Sequence, residues 1–219
     1  MRCCTIGTSN LIKIVSSRNR KRLRKEAYML RMRFGLDKIK KFPVMEFLEL
    51  IMPQIDEEFM LVPVEDDDLK GRAAETIPAE HVIRVKQSVY DAACQGSYWA
   101  RTVMAHELGH YVLHGEETVA YAHGAPDERV PDEINAERQA DIFAAELLAP
   151  VHLVDETSDY LVSKHFGITR GMARSQMNQV RRVQKRKTVE AATSTVGFPR
   201  NHPLYVRRCV LDTIAFAAS

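Results

Sequence analysis

The chain has 219 residues, of which 45% are apolar and 27% charged, and a formal net charge of +2. That allows a proper core and fits one domain with appended segments. No apolar run reaches the ~18 residues of a membrane span, the start lacks the pattern of a signal peptide, and Cys3, Cys4, Cys94 and Cys209 form neither a metal knuckle nor a plausible disulfide framework, which points to a reducing cytoplasm.

The charge is patterned even though its sum is small. Residues 13–41 hold twelve Lys/Arg and two acids, residues 46–68 hold nine acids and no Lys or Arg, and residues 170–187 hold seven Lys/Arg and no acid. Runs of this kind without interleaved aromatics read as solvated faces before they read as a nucleic-acid surface.

In chain order, residues 1–18 read as a poorly ordered leader. Arg18 to Phe34 reads as a basic helix, with Leu23, Ala27, Leu30 and Phe34 at helical spacing. Pro43 opens a second helix with Val44, Phe47, Leu48 and Ile51 inward, and Pro53 ends it. Phe59 to Val64 reads as a strand, and the acidic run Glu65 to Asp68 as a turn. His81 to Lys86 alternates like a second strand, placed at an edge, where it could take an extended peptide by strand addition.

Tyr98 to Val112 carries apolar or small residues at Val103, Met104, Leu108, Tyr111 and Val112 and no Pro, which predicts a mostly buried helix. Within it stands His106-Glu107-Leu108-Gly109-His110. Two histidines four apart share a helix face, so both imidazoles can reach one metal ion, and the glutamate beside the first can act as a general base. Buried polar groups need partners, and a metal would supply them.

A catalytic zinc takes three protein ligands and keeps one open position. Asn135 to Pro150 has an apolar stripe of Ala136, Ala140, Phe143, Ala144, Leu147 and Leu148, which is helical spacing for one buried face. Glu137 and Asp141, four apart, share another face. Glu137 can bind the metal, and Asp141 can accept the second ring N–H of a ligand histidine. His114 extends the histidine row, but along a straight helix it lies about 12 Å from His106, too far to share one ion. It reads as a helix-end residue or an outer partner of the site. Glu146 falls on a different face from Glu137. Tyr121 and His123, in the polar loop Gly115 to Pro131, are candidate transition-state hydrogen-bond donors. That loop reads equally as a lid or as a plain surface loop.

Residues 151–185 read as helical, with Phe166-Gly-Ile-Thr169 between two helices like the turn of a helix-turn-helix. The residues leave open whether this pair packs or touches DNA. In the tail, Val206 to Ala217 reads as a strand or a docked helix.

The segments Arg101 to His114 and Glu137 to Pro150 together resemble the ImmA/IrrE family of bacterial metallopeptidases, in order and spacing. The resemblance covers about residues 20–185. It implies an α+β, zincin-like domain, mostly helical, with a short mixed sheet and an HExxH active-site helix. The expected organisation is a leader over 1–18, a metallopeptidase domain over 19–185 that ends in the helix pair 155–185, and a C-terminal extension over 186–219. By position, His106, His110 and Glu137 would be ligands of Zn2+ and Glu107 the general base. Asp141 stands where family members commonly have Asn, and either side chain can hydrogen-bond a ligand histidine. The implied activity is cleavage of a partner protein, a helix-turn-helix DNA-binding repressor, in the cytoplasm. The rival reading is a metal-stabilised regulatory or antitoxin module that binds a partner without hydrolysis. Ligand type and the Irving–Williams order favour zinc over manganese.

Overall fold

A computed structural model describes residues 11–115, 120–123, 131–155 and 157–195. The chain divides into two compact units, Met1–Met177 and Asn178–Ser219.

The first unit opens with β1 (Leu11–Ile14), antiparallel to β5 (Ala120–His123). Ile14 also bridges Asn135. The N–H groups of Val15 and Arg18 donate to the carbonyls of Ile134 and Glu133 at 3.0 and 2.8 Å. Residues 11–18 are therefore part of the fold, which corrects the leader drawn over 1–18. Backbone pairing holds them, and so short a segment shows no side-chain period that would reveal it. Residues 1–10 lie outside the described residues.

Asn19 accepts a hydrogen bond from the Arg22 N–H at 3.0 Å and so caps α1 (Arg20–Arg33). This helix packs on α6 (Ala136–Leu148). Two ionic devices cross that contact. Glu146 is buried and accepts from Arg24 Nε and Nη2, each at 3.0 Å, with Arg20 at 3.5 Å. Arg31, fully buried, donates to the Leu147 carbonyl at 2.6 Å and to that of Ile39, and burial pushes its pKa down to about 10. Each buried charge thus keeps polar partners, which burial demands.

Val44–Glu46 (α2), a π turn at Phe47–Ile51 and Met52–Ile55 (α3) follow one another directly. Pro53 does not end the helix as expected. The wider π turn, closed by Met52 N–H on Phe47 O, makes room for a residue that has no N–H of its own and whose ring would otherwise press on the preceding turn.

The three-stranded sheet has the order β2 (Met60–Val64), β4 (Val82–Lys86), β3 (Ala74–Ile77). β2 runs parallel to β4, and β3 runs antiparallel to it. The strand expected at an edge, β4, is thus the central one. Its residues Val82, Ile83 and Val85 are buried, so its pattern is not a clean alternation of buried and exposed positions. The edges are β2, where Pro63 needs no second partner, and β3, for which the sequence offers no apolar pattern.

His81 enters β4 in the left-handed region at φ +54°. Its Nδ1 donates to Asp56 Oδ2 at 2.7 Å, and the Tyr111 hydroxyl donates to the same oxygen at 2.5 Å. The bond to Asp56 raises the His81 pKa, and the bonds from Tyr111 and His81 lower that of Asp56. The histidine's contribution to stability is complete below its ordinary value of about 6.5 and fades as pH rises through the raised one. The aspartate's contribution is complete above its ordinary value of about 4 and is lost as pH falls through the lowered one. His81→Asn, which tolerates the left-handed backbone, is expected to lower the melting temperature at about pH 5.5 and to do so less at about pH 9. Calorimetry at the two pH values checks this.

α4 (Gln87–Cys94) leads to Ser97, whose hydroxyl caps α5 (Tyr98–His114). Arg101, buried on α5, donates to Phe42 O at 2.6 Å and Gly167 O at 3.1 Å. Gly167, at φ +64°, ends α7 (Asp159–Phe166) and turns the chain into α8 (Arg170–Thr195). From α8 the Gln176 amide reaches the Ala145 and Ala149 carbonyls at 3.0 and 2.8 Å and so satisfies the C-terminal end of α6. The architecture is the expected α+β one, mostly helical with a small mixed sheet.

In the second unit the described residues, 178–195, are helical. The stretch Val206–Ala217 lies outside the described residues. Among the described residues no helix is long and apolar enough to cross a membrane.

Candidate metal centre

α5 and α6 cross closely because Gly109 has no side chain. A Cβ there would lie 3.2 Å from Ala140 Cα, 3.3 Å from its carbonyl oxygen and 3.3 Å from Phe143 Cδ1. The α5 histidines thereby meet the acidic face of α6. Gly109→Val would force its branches into the α6 backbone, an overpacking that costs about 1–3 kcal/mol. It is expected to lower both the melting temperature and zinc affinity, measured by calorimetry and by zinc titration.

His106 and His110, one turn apart, bring their Nε2 atoms to 3.0 Å of each other, with ring centroids 4.7 Å apart. Glu137 opens α6 in the turn capped by Asn135. Its Oε2 lies 3.3 Å from His106 Nε2 and its Oε1 3.4 Å from His110 Nε2. Among the described residues these three side chains form the one group of donors that could hold a metal ion, with their ligand atoms all within 4.8 Å. The donor set fits a cation. Two imidazole nitrogens and a carboxylate converge on one point, and a zinc-type site uses such a set.

Electrostatics agree with that crowding. Burial works against charge on His106, but hydrogen bonds to Asp141 and Glu137 and the nearby Glu107 outweigh it, so its pKa rises to about 10. The neighbouring imidazoles of His106 and then His110 hold Glu137 far below the usual carboxylate range. On the opposite side of its ring, His106 Nδ1 donates to Asp141 Oδ1 at 3.1 Å. Arg138 Nη1 lies 3.5 Å from the other oxygen of Asp141.

Glu107 is buried. The Thr76 hydroxyl, on edge strand β3, stands 2.7 Å from Glu107 Oε2 and 3.1 Å from the Glu107 backbone oxygen. The sequence carries no signal for Thr76, because a lone threonine thirty-one positions upstream is tied to Glu107 only by packing. Gln139, whose Oε1 lies 3.2 Å from His114 Nε2, is likewise brought to the site only by packing. His114, the outermost of the histidine row, is buried, with its Nδ1 3.3 Å from His110 Nδ1. Glu146, set aside on its helix face, is committed to the arginines of α1. Tyr121 and His123 stand on β5 opposite Lys13 and Leu11, and their side chains, like most of the loop read as a lid, lie outside the described residues.

A comparison with curated proteins gives no match. The family model described as Peptidase_M78, the IrrE N-terminal-like domain, matches residues 66–177. That is just over half of the chain, and it contains β3, β4, α5 and α6. The chain therefore belongs to the IrrE N-terminal-like family and carries its metallopeptidase-type domain.

Proposed function

We propose that this chain is a zinc-dependent metallo-endopeptidase that hydrolyses peptide bonds of a partner protein, with a helix-turn-helix transcriptional repressor as the substrate class. The observation that carries this reading is the convergence of three donor side chains from two helices beside a buried carboxylate held by a hydroxyl. His106, His110 and Glu137 would hold the ion and leave a fourth position for substrate or water. When bound, zinc brings the pKa of water toward neutrality and polarises a carbonyl oxygen.

The remaining work falls to the chain. Glu107 accepts the proton of the attacking water and returns it to the leaving amine. Thr76 occupies one carboxylate oxygen of Glu107 and holds its orientation. Asp141 takes the His106 Nδ1–H, which leaves the other ring nitrogen free for the metal. β3 pairs with β4 on one side only among the described strands. Its outer edge, beside Thr76, can take an extended substrate segment by strand addition.

The repressor as substrate rests on the resemblance of the two motif segments to the ImmA/IrrE family. Arg170 and Arg174 at the start of α8 are paired with Asp159 at 2.8 and 2.9 Å, which favours the α7–α8 pair as a packing element over a DNA reader. The test is incubation of zinc-loaded protein with the helix-turn-helix repressor encoded nearest to it. Cleavage that a chelator stops supports the proposal, and a repressor left intact at equimolar enzyme overturns the substrate assignment.

A further inference from the structure

The two histidines of the centre are oriented by different devices. His106 has the Asp141 carboxylate behind it. His110 has a second histidine, and behind that a fully buried glutamine. The direction of every proton in this second chain follows from its far end.

Gln139 Nε2 lies 2.8 Å from the Ser16 carbonyl oxygen and 2.6 Å from that of Glu133. Both are pure acceptors, so the nitrogen of the amide must face them, and the reverse flip would set oxygen against two oxygens. Gln139 Oε1 is then an acceptor, and it faces the Arg18 guanidinium at 3.3 Å and His114 Nε2 at 3.2 Å. His114 Nε2 must therefore carry the proton. A neutral imidazole has one N–H, so His114 Nδ1 presents a lone pair. His110 Nδ1, 3.3 Å away, donates to it. The remaining nitrogen of His110, Nε2, then carries no proton; it lies 3.0 Å from His106 Nε2 and 3.4 Å from Glu137 Oε1.

We propose that His114 and Gln139 are positioning residues: anchored on the Ser16 and Glu133 carbonyls, they hold His110 in its Nδ1–H tautomer and so leave Nε2 free to bind the metal. The inference rests on the reading of His106, His110 and Glu137 as ligands. It also gives the segment after β1 a purpose, since Ser16 and Arg18 both end on Gln139. A neutral imidazole behind one ligand and a carboxylate behind the other orient both rings while adding a single negative charge.

The test uses zinc itself as the probe. His114→Phe keeps the ring and removes the acceptor. It is expected to weaken zinc binding by about 10–100-fold, the usual cost of losing an outer partner, while the metal-free protein still folds, as circular dichroism would show. His114→Asn, whose amide oxygen can stand in for Nδ1, is expected to restore most of the affinity. His114→Phe binding zinc as tightly as wild type overturns the inference and leaves the three-ligand reading intact, whereas wild type that binds no zinc overturns that reading and this inference with it. Should His114→Phe fail to fold, nitrogen-15 spectra of ring-labelled, zinc-loaded wild type decide the matter. The proton is expected on Nδ1 of His110 and on Nε2 of His114, and a His114 proton on Nδ1 overturns the assignment.

Discussion

Glu107→Gln is expected to keep wild-type zinc content and to lose about 10²–10⁴-fold in the rate of peptide cleavage, the range that a positioned general base supplies. Glu107 is not one of the three converging donors, so its replacement leaves the proposed ligands untouched. The amide has the shape of the carboxylate, and the Thr76 hydroxyl can still donate to its oxygen. The loss is the ability to accept a proton. Because the side chain is buried, no bulk water can take over that role at the same position. Elemental analysis together with a single-turnover cleavage assay reads both halves of the prediction. Full activity in the variant would rule out Glu107 as the base. Partner regulation that continues unchanged in cells would favour a module that binds without hydrolysis.

Glu137→Ala is expected to take metal content from near one zinc per chain to near none, with affinity reduced by more than 100-fold. The bound follows from comparison, since loss of an outer partner alone costs about 10–100-fold, which is the effect expected of Asp141→Ala. Glu137 supplies the negative charge between the two imidazoles, and its carboxylate, held far below the usual range by His106 and His110, remains ionised throughout the neutral region. Alanine leaves two nitrogen donors, one short of a catalytic zinc site. The fold is expected to persist, because Glu137 is exposed and the α5–α6 contact is made by Gly109, Ala140 and Phe143. Elemental analysis of the variant beside wild type, with circular dichroism to check the fold, measures this. A variant that still holds one zinc would place the third ligand elsewhere and remove Glu137 from the centre.

Much of the centre was legible because its parts are local. His106, Glu107 and His110 lie within five residues, and a helix needs only its own pitch to align them. Glu137 and Asp141 are likewise one turn apart, on a helix whose apolar stripe and Pro150 are visible in the sequence. Helix-to-helix placement was legible only in outline. The two faces had to meet if both belonged to one site, but the close approach at Gly109 is a property of two packed backbones.

The strands were read less well, for a reason particular to short sheets. β4 has three buried residues in five, which marks a strand but not its place in the order, and β3, with Glu75 and Thr76 at its middle, has no apolar alternation at all. Its pairing with β4 comes from the backbone, and so does the pairing of β1 with β5. For the same reason residues 11–18 looked like a leader, although they anchor the glutamine behind His114.

By itself the sequence determined the helical register of the two motif segments, and with it the candidate donors and the candidate base, since those follow from residue type and from the 3.6-residue turn of a helix; the family came from the resemblance of the two segments and the matching family model. Tertiary structure decided which side chains stand behind that set: Thr76 at Glu107, Asp141 at His106, and His114 with Gln139 at His110. These contacts join positions far apart in the chain, except for the single turn from His110 to His114. Hydrogen bonds between distant segments depend on where whole elements pack, and no local periodicity encodes that.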